Sequence, residues 1–390
     1  MRIGLFTHVY PPMINGVAIS VKNLEQELIR QGHQVFIITN NYDEFKTKKE
    51  ENRLETASIY IKYQNLRTPI IPNPRLFKKI DDLNLDLIHS HSDFGLGLIS
   101  RIYSYDSKKP HIQTYHCNYI EYAKNNFGKS SALFFKKPVE LYSKYLGYTT
   151  DRLVVPSREV YKVLTEDFKI KKNMDIIPNG LDLKQFKDVN KEETKRIKQI
   201  YNIKDNDFVI LSLSRLSKEK RIDEIIKIMP KLQEYPNIKL LIVGQGPDEE
   251  RLKKIARFCK NIIFTGEVPN EKVKNYYKVG TVFVTNSIAE TQGLTLVESL
   301  ASNLPVLCIN NALYEDVIKD GENGITFNNC DELTEIIKNL YDKRENLEKL
   351  KKNSSLNLEK YSVETQAKQL LDVYEEEIFK KNRNKVRIRK

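Results

Sequence analysis

The sequence lacks any apolar run of about 18 residues, which excludes a transmembrane helix. Residues 1 to 7, MRIGLFT, already have the pattern of a β-strand, so no signal peptide is predicted ahead of the first structural element. The protein is therefore expected to stay in the cytoplasm.

Cysteine is scarce and has no recognisable spacing. No CxxC pair occurs, which excludes a zinc knuckle, and the scatter argues against a disulfide framework. Reduced, structural cysteines in a reducing compartment are the expectation for the four residues Cys117, Cys259, Cys308 and Cys330.

What the chain does have is length and positive charge. With 390 residues it is too long for one ordinary core, so two domains of similar size are expected. A net charge of +12 predicts attraction to polyanions: nucleic acid, anionic lipid or phosphorylated ligands. Charge alone does not choose among these partners.

The first half alternates β-rich runs with helical patterns. Apolar residues recur at helical spacing from Val17 to Ile29, and Gly32 stands where a C-cap glycine belongs, so the chain opens with a βαβ unit. The predicted strands are 3–7, 34–38, 59–63, 86–90, 112–116, 152–156 and 174–178.

The alternation restarts after a linker-like stretch. Its strands are near-continuous apolar runs, as in parallel sheets covered on both faces; they are predicted at 208–213, 238–243, 261–265, 281–285 and 305–309. The fold class is therefore α/β, with two facing doubly wound domains. Ligands of such sheets bind beyond the carboxyl ends of the strands, so a site is expected in the cleft between the domains.

We place the domain bounds at 1–185 for a first Rossmann-like domain and 186–360 for a second. Residues 361–390 are expected to form a helix that crosses back to the first domain and ends in a basic, solvated or disordered tail.

The segment AETQGLTLVESLAS, residues 289–302, puts two carboxylates around a glycine. Gly293 starts a helical pattern, so the free N–H groups of its first turn form an anion site. Glu290 precedes that turn and Glu298 lies within the helix, about 12 Å further along at 1.5 Å per residue. A sugar diphosphate has this order of length, and carboxylates accept hydrogen bonds from paired hydroxyls. A helix-start acid and a buried salt-bridge partner explain the spacing equally well.

The segment SLSRLSKEKRID, residues 212–223, favours the ligand interpretation. Arg215 and Lys220 follow the first strand of the second domain, at the same sheet edge as Gly293. Two cations beside a helix start suit a diphosphate leaving group.

A dinucleotide-binding interpretation is disfavoured by a missing glycine. LLIVGQGPDEERL, residues 240–252, contains G-x-G between a strand and a helix, but Glu249 occupies the place of the third glycine.

In the first domain, Gly16 is predicted just ahead of a helix N-terminus, where the backbone could approach a phosphate; an ordinary tight turn explains it equally well. His89 and His91 share a face at a strand end, but no third ligand stands at a metal-site spacing, so no metal is predicted. His116 ends a predicted strand, and its position favours a role in the site over a purely structural one.

Together these segments resemble the retaining glycosyltransferases of family 4, which have the GT-B fold. ETQGLTLVES is similar to the E-x7-E motif of that family. Other family segments occur in order: IGLFTHVYPPMINGVAISVKNLEQELIRQGHQVFIIT, IIPNGLDLKQF, SRLSKEKRID, VGQGPDEERLKK, FTGEV and ENGITF, the last predicted to be a turn at residues 322–327. One departure is Asn15-Gly16, where many members have two adjacent glycines.

The resemblance implies that domain 1–185 binds the acceptor and that domain 186–360 binds the nucleotide sugar. It also implies a role for each matching position. Glu290 would hold hydroxyls of the donor sugar, Glu298 the ribose, and Arg215 with Lys220 the diphosphate. His116 would lie beside the transferred sugar. Backbone contacts are implied for four further residues: Gly293, Leu294 and Gly16 at the phosphates, and Val268 at the base.

Within the family, TYHCNYIEYAKN and HSHSDFGLG resemble the bacterial diacylglycerol glucosyltransferases, which make membrane glycolipids from UDP-glucose. The segment 128–148 mixes aromatic residues with lysines, a composition typical of a helix on an anionic bilayer; a core helix with a solvated face is equally compatible. The predicted membrane contacts are Phe134, Phe135, Lys136, Lys137 and Lys144.

The expected reaction is metal-independent transfer of a hexose from a UDP-sugar to diacylglycerol or a glycosyl-diacylglycerol, with retention and no cofactor. The enzyme would work at the inner face of the cell membrane. Alternatives are a family 4 enzyme with a sugar or polysaccharide acceptor, a GT-B epimerase, and a basic nucleic-acid-binding protein. The basic tail lacks interleaved stacking aromatics, which disfavours nucleic acid.

Overall fold

The computed structural model describes residues 1–13, 15–41, 51–61, 66–69, 74–116, 129–187 and 189–388. The chain divides into two compact units. The first unit consists of Met1–Cys117, Phe134–Leu181 and Lys360–Lys390, and the second of Asn118–Leu133 and Asp182–Glu359.

The first unit is built on a parallel sheet whose strand order is β3-β2-β1-β6-β7-β8-β9. A two-stranded antiparallel pair, β4-β5, stands apart from it. The strands are β1 (Arg2–Phe6), β2 (Gln34–Asn40), β3 (Arg53–Thr56), β4 (Ile59–Ile61), β5 (Leu66–Thr68), β6 (Leu87–Ser90), β7 (His111–Thr114), β8 (Arg152–Val155) and β9 (Met174–Ile176).

The second unit has a parallel sheet in the order β12-β11-β10-β13-β14-β15. Its central neighbours, β10 and β13, mark the point where the strand order reverses, which is where doubly wound sheets bind ligands. The strands are β10 (Phe208–Leu213), β11 (Ile238–Val243), β12 (Ile262–Phe264), β13 (Val282–Thr285), β14 (Val306–Ile309) and β15 (Gly324–Phe327).

Helices cover the sheets. They are α1 (Gly16–Arg30), α2 (Pro74–Asp82), α3 (Leu96–Ser107), α4 (Lys129–Tyr148), α5 (Arg158–Lys162), α6 (Lys184–Lys187), α7 (Lys191–Ile200), α8 (Ile222–Ile228), α9 (Glu249–Ala256), α10 (Asn270–Val279), α11 (Leu294–Ala301), α12 (Cys330–Asp342), α13 (Arg344–Ser354) and α14 (Val363–Ile388). Within the described part of the chain, none of them is long and apolar enough to cross a membrane.

Each sheet is buried on both faces, which is why its strands are nearly all apolar. On one face of the first sheet, Leu5 and Ile37 pack with Leu24 of α1 and Leu370 of α14. On the opposite face, Ile88 packs among residues of α2 and α3. The C-terminal helix is therefore part of the first unit's core. In the second unit, strand residues such as Ile210 and Leu240 pack with α8, α9 and α12.

The structure corrects three sequence predictions. Residues 59–61 form the antiparallel pair with β5 and do not join the main sheet. The segment ENGITF contains β15 and is not only a turn; a Cβ on Gly324 would lie 2.5 Å from the carbonyl oxygen of Val306, so the strand requires glycine there. The tail was expected to be solvated or disordered; it is helical to Ile388, which corrects the disordered alternative, while Asn382, Arg383 and Asn384 are exposed, as the solvated alternative requires.

The cysteines follow the prediction where they are described. Cys259, Cys308 and Cys330 are all free thiols, and burial raises the pKa of Cys308 to about 12. Cys117 lies outside the described residues.

Candidate functional site

A lysine and a glutamate meet at the carboxyl edge of the second sheet, between β10 and β13. The Nζ of Lys220 donates a hydrogen bond to Oε1 of Glu290, and Ser287 Oγ donates to the same oxygen over 2.9 Å. Their side chains are only 18% and 24% exposed, so both charges are partly desolvated. The sequence analysis placed these residues at one edge but did not foresee their ion pair.

The helix start at Gly293 adjoins this pair. Gly293 has a φ of +75°, in the left-handed region, and no side chain caps α11. A Cβ on Gly293 would lie 3.0 Å from the ring of Tyr314, whose hydroxyl donates to the carbonyl oxygen of Ser287 over 2.8 Å. Burial, and second the charge of Glu290, raise the pKa of Tyr314. Tyr314 therefore contacts both the start of α11, through Gly293, and the loop of Ser287, whose side chain bonds Glu290.

Arg215 occupies the same loop but behaves differently. Its side chain is exposed and makes no hydrogen bond or ion pair with any residue that the structure describes. Both predicted cations thus follow β10, and only Lys220 has a carboxylate partner.

The two glycines after β11 support the loop that carries these cations. A Cβ on Gly244 would lie 2.1 Å from the carbonyl oxygen of Ser214, and one on Gly246 would lie 2.2 Å from that of Leu216. Backbone hydrogen bonds join Leu216 to Gln245 and to Asp248. The G-x-G sequence is thus required by close packing of two loops, which explains the motif without a dinucleotide.

We expect Gly246→Ala to weaken binding of a diphosphate ligand, because the new methyl group forces the loop of Arg215 and Lys220 to move. We expect the dissociation constant to increase about tenfold, because the displaced cations would no longer be oriented toward the diphosphate. Calorimetry with UDP measures it. Gly32→Ala in the first unit is the control: its φ of +88° imposes comparable strain, but a Cβ there has no neighbour within 4 Å. Equal affinities in the two variants would contradict the prediction.

Glu298 lies on α11 and contacts α10. The hydroxyl of Tyr277 donates to Oε2 of Glu298 over 2.6 Å. Burial raises the pKa of Glu298, and the hydrogen bond from Tyr277 opposes that shift. The salt-bridge alternative has no support among the described residues, where the contact of Glu298 is a hydroxyl. Ribose binding stays a prediction.

Two further predicted residues lie in loops or at a helix start. Val268 is partly buried in the turn between β12 and α10. Gly16 is exposed and is the first residue of α1, whereas the prediction placed it just before the helix. Asn15 is the N-cap, and its side chain accepts a hydrogen bond from the N–H of Ala18 over 2.8 Å. The chain therefore already satisfies one first-turn donor, which the paired glycines of other members would leave free.

Histidines gather at the carboxyl edge of the first sheet. His91 Nδ1 lies 3.0 Å from His116 Nε2, and the rings of His89 and His91 are in contact, with centroids 4.1 Å apart and planes tilted by 38°. His89 bonds Tyr374 through Nδ1 over 2.6 Å and Thr114 through Nε2 over 2.7 Å.

These histidines are neutral near pH 7. Burial lowers the pKa of His8 to about 4, and burial, followed by a neighbouring histidine, lowers those of His89 and His116 to about 3. Both ring nitrogens of His89 are engaged, so it offers no lone pair to a metal. Within the described ranges no group of three or more His, Cys, Asp or Glu side chains is arranged to hold a metal ion.

The first unit is expected to lose stability as the pH falls from 7.5 to 5. These pKa values lie below the unfolded value of about 6.5, so the unfolded chain binds more protons in this window. Each such histidine costs about 1.4 kcal/mol of unfolding free energy per pH unit once the pH is below about 6.5. Amide hydrogen exchange of β6 and β7 measures this loss.

The second unit is an internal control, because all six histidines of the sequence lie in residues 1–116. The protection factors of β10 and β13, in which the intrinsic pH dependence of exchange is divided out, should change much less over the same pH range. An equal loss of protection in both units would contradict the histidine explanation.

Several contributors were not found from the sequence. Ser287 and Tyr314 support Glu290, and Tyr374 lies 285 residues from its partner His89. Ser287 could have been singled out because it follows the central strand β13; no local signal marks Tyr314 or Tyr374.

Two doubly wound parallel sheets in one chain, with a lysine–glutamate pair beside a glycine-led helix at the switch point of the second, define a GT-B glycosyltransferase. A family model described as Glycosyltransferase Family 4 matches residues 14–185, and one described as Glycosyl transferases group 1 matches residues 193–356.

Curated relatives extend the match to the whole chain. The alpha-monoglucosyldiacylglycerol synthase of Acholeplasma laidlawii is 30% identical over 98% of this chain and 99% of its own. The synthase of the same name from Streptococcus pneumoniae is 34% identical over 82% of this chain and 74% of its own. The chain therefore belongs to the retaining glycosyltransferases of family 4.

A solved structure supports the fold alone. The Anabaena protein Alr3699/HepE, crystallised in complex with UDP, superposes with a TM-score of 0.75 over 96% of this chain and 100% of its own, at 16% identity. The sequence prediction of family and fold is confirmed.

Proposed function

We propose that this glycosyltransferase transfers glucose from UDP-glucose to diacylglycerol, with retention at the anomeric carbon. Relatives named for that product match over most of the chain, and they supply the acceptor and the sugar. The observation that carries the donor half is the Lys220–Glu290 pair beside the uncapped helix α11. It offers cations and N–H groups to a diphosphate and a carboxylate to sugar hydroxyls.

In the proposed reaction, the bond between the anomeric carbon and the diphosphate oxygen breaks while the acceptor hydroxyl forms the new bond on the same face. The hydroxyl proton passes to the departing diphosphate, so UDP is the second product. Lys220, Arg215 and the amides of Gly293 and Leu294 stabilise the negative charge that develops on the diphosphate. These groups supply the positive charge that a divalent cation would otherwise provide, and we propose that none is required.

The remaining roles are proposed on resemblance. Glu290 binds donor-sugar hydroxyls and Glu298 the ribose, whose hydroxyls can replace the Tyr277 donor. Val268 lies at the base, Gly16 approaches a phosphate, and His116 lies beside the transferred sugar. Since Asn15 already engages Ala18, Gly16 is expected to contribute through fewer free amides than in members with two glycines.

Product analysis tests this function. The protein is incubated in EDTA with UDP-glucose, UDP-galactose or a GDP-sugar, and with diacylglycerol in vesicles or with free sugars as acceptors. An α-glucosyl-diacylglycerol identified by mass and by NMR of the anomeric proton is expected from UDP-glucose. A product only with soluble acceptors would favour a sugar- or polysaccharide-directed enzyme, and failure in EDTA with rescue by Mg²⁺ would contradict metal independence.

An acceptor that resides in a bilayer requires a membrane-facing surface, and we propose that α3 and α4 form it. Large apolar side chains are exposed at helical spacing on both helices. Phe94 stacks on Tyr142 with centroids 4.5 Å apart, which joins the start of α3 to α4. We call this set the aromatic patch: Phe94, Leu98, Tyr105, Leu141, Tyr145 and Tyr148.

Three of the lysines predicted to contact the membrane lie in the same helix as part of the aromatic patch, but two of them are engaged in ion pairs. Lys137 and Lys144 both pair with Glu140, whose pKa they lower, while Lys136 is exposed with no ion pair to a described residue. Phe134 and Phe135 have side chains outside the described residues. The segment forms helix α4, and its Leu146 is fully buried, so one face of the helix packs in the core. Membrane contact at these residues stays a proposal.

Replacing Leu98, Leu141 and Tyr145 together by serine is expected to lower binding to anionic vesicles more than tenfold. Burial of each of these apolar side chains in the membrane interface would contribute about 1.5 kcal/mol or more, and the variant loses that contribution. Vesicle cosedimentation measures it, with activity on a soluble acceptor analogue unchanged. Phe258→Ser is the control because Phe258 is 80% exposed on the second unit. An equal loss of vesicle binding in the control would show that the aromatic patch is not the membrane-binding surface.

A further inference from the structure

His91 and His116 form a hydrogen bond between two neutral imidazoles. His91 is 2% exposed and His116 is partly buried, and Nδ1 of His91 lies 3.0 Å from Nε2 of His116. Since neither ring is charged near neutral pH, one nitrogen of the pair must carry the hydrogen and the other must accept it.

The second nitrogen of His91 decides which one donates. Its Nε2 is buried and has no hydrogen-bond partner among the residues that the structure describes. If Nε2 carried the hydrogen, a buried N–H would be left unpaired, which is rarer and more costly in proteins than an unfilled acceptor. The hydrogen of His91 is therefore on Nδ1, and His91 donates to Nε2 of His116.

The tautomer of His116 follows from this donation. A neutral imidazole that accepts at Nε2 carries its hydrogen on Nδ1. We propose that His91 is a positioning residue that holds His116 as the Nδ1–H tautomer, so that His116 offers the transferred sugar an N–H donor and not a basic nitrogen. This rests on the proposed function for the sugar contact, but the tautomer itself does not depend on it.

His91 is itself held by the C-terminal helix. The ring of His91 contacts that of His89 at a tilt of 38°, and both nitrogens of His89 are bonded, to Tyr374 of α14 and to Thr114 of β7. These two hydrogen bonds fix the orientation of the His89 imidazole, and the fixed ring in turn restricts rotation of the His91 ring that contacts it. The orientation of His116 thus depends on His89 of β6, Thr114 of β7 and Tyr374 of α14, and Tyr374 lies outside the segments that carry the family resemblance.

A hydrogen-bond donor at His116 fits the proposed chemistry. In the same-face substitution the acceptor proton goes to the departing diphosphate, so no protein base is needed near the sugar. An N–H donor can instead bind a sugar oxygen and orient the ring for the reaction.

Nitrogen NMR of histidine-labelled protein tests the proposal. We expect the free wild-type enzyme to show His116, assigned with a His116→Gln variant, with a pyrrole-type Nδ1 and a pyridine-type Nε2. His91→Asn places an amide donor where Nδ1 was and should preserve this pattern. His91→Phe keeps a ring on His89 but removes the donor, so His116 should shift toward the Nε2–H form that free histidine prefers.

Activity is the second readout. His91→Phe should lower kcat by about 10- to 100-fold, as loss of an orienting partner does at other sites, with His91→Asn near wild type. A wild-type His116 protonated at Nε2 overturns the proposal even if no variant folds. An unchanged tautomer in folded His91→Phe also overturns it. Absence of glucosyl transfer by the wild type, with the expected spectra, rejects the proposed function and leaves the tautomer assignment standing.

Discussion

Replacing Lys220 by alanine is expected to lower kcat/KM for transfer about a thousandfold, the effect of deleting one preorganised donor to a developing anion. Lys220 is only 18% exposed and lies with Glu290 at the switch point of the second sheet, so its charge is poorly screened by water. Most of the loss should fall on kcat, because charge on the diphosphate grows as the glycosidic bond breaks.

The neighbouring Lys218 is a matched control. It lies in the same turn, Lys218–Lys220, but its side chain is exposed and has no hydrogen-bond or ion-pair partner among the described residues. Lys218→Ala should retain wild-type kcat/KM within about threefold, as expected of an exposed charge. A comparable loss in both variants would mean that the general positive potential of the loop, and not Lys220 itself, assists departure of the diphosphate.

Replacing Glu290 by glutamine should separate sugar binding from diphosphate binding. The free enzyme holds Lys220 in an ion pair, which a diphosphate must displace. Loss of that competition should leave the affinity for UDP unchanged or raise it. The affinity for UDP-glucose and kcat/KM should fall, the latter by about a hundredfold, because an amide is a weaker acceptor for hydroxyls than a carboxylate.

Calorimetry with UDP and with UDP-glucose, beside a transfer assay, measures this split. Glu322→Gln is the control, since Glu322 is an exposed carboxylate of the same unit. If Glu290→Gln weakened UDP and UDP-glucose equally, Glu290 would be a support for Lys220 and not a ligand of the sugar.

The sequence was sufficient for features that depend on local pattern. The bounds of β10 and β11 agree with the predicted strands, because continuous apolar runs flanked by turn residues admit few alternatives. Gly293 was placed correctly at the start of α11, since the apolar periodicity of the following residues begins there.

Features that depend on distant partners were not predicted. Lys220 and Glu290 are 70 residues apart, and their ion pair follows from the adjacency of β10 and β13 in the sheet. β3 was missed because its sequence, RLET, is mostly charged or polar and pairs only with β2 at the sheet edge. β15 was read as a turn because its first residue is glycine, whose role there is close contact with Val306.

The histidine cluster was only partly predicted, because it also depends on residues that are distant in the sequence. His89, His91 and His116 were each noted at strand ends, but the hydrogen bond between His91 and His116 requires β6 and β7 to be neighbours in register. The support from Tyr374 requires the last helix to pack on the first unit's sheet, which no local motif encodes.

Titration of UDP into the wild-type enzyme and into the Lys220→Ala variant, in EDTA and at constant salt, tests most directly whether the loop after β10 and the start of α11 bind the donor diphosphate. We predict saturable binding by the wild type without a divalent cation and a loss of affinity of about tenfold or more in the variant. Equal affinity in the two proteins, or binding by the wild type only after a divalent cation is added, would contradict that assignment.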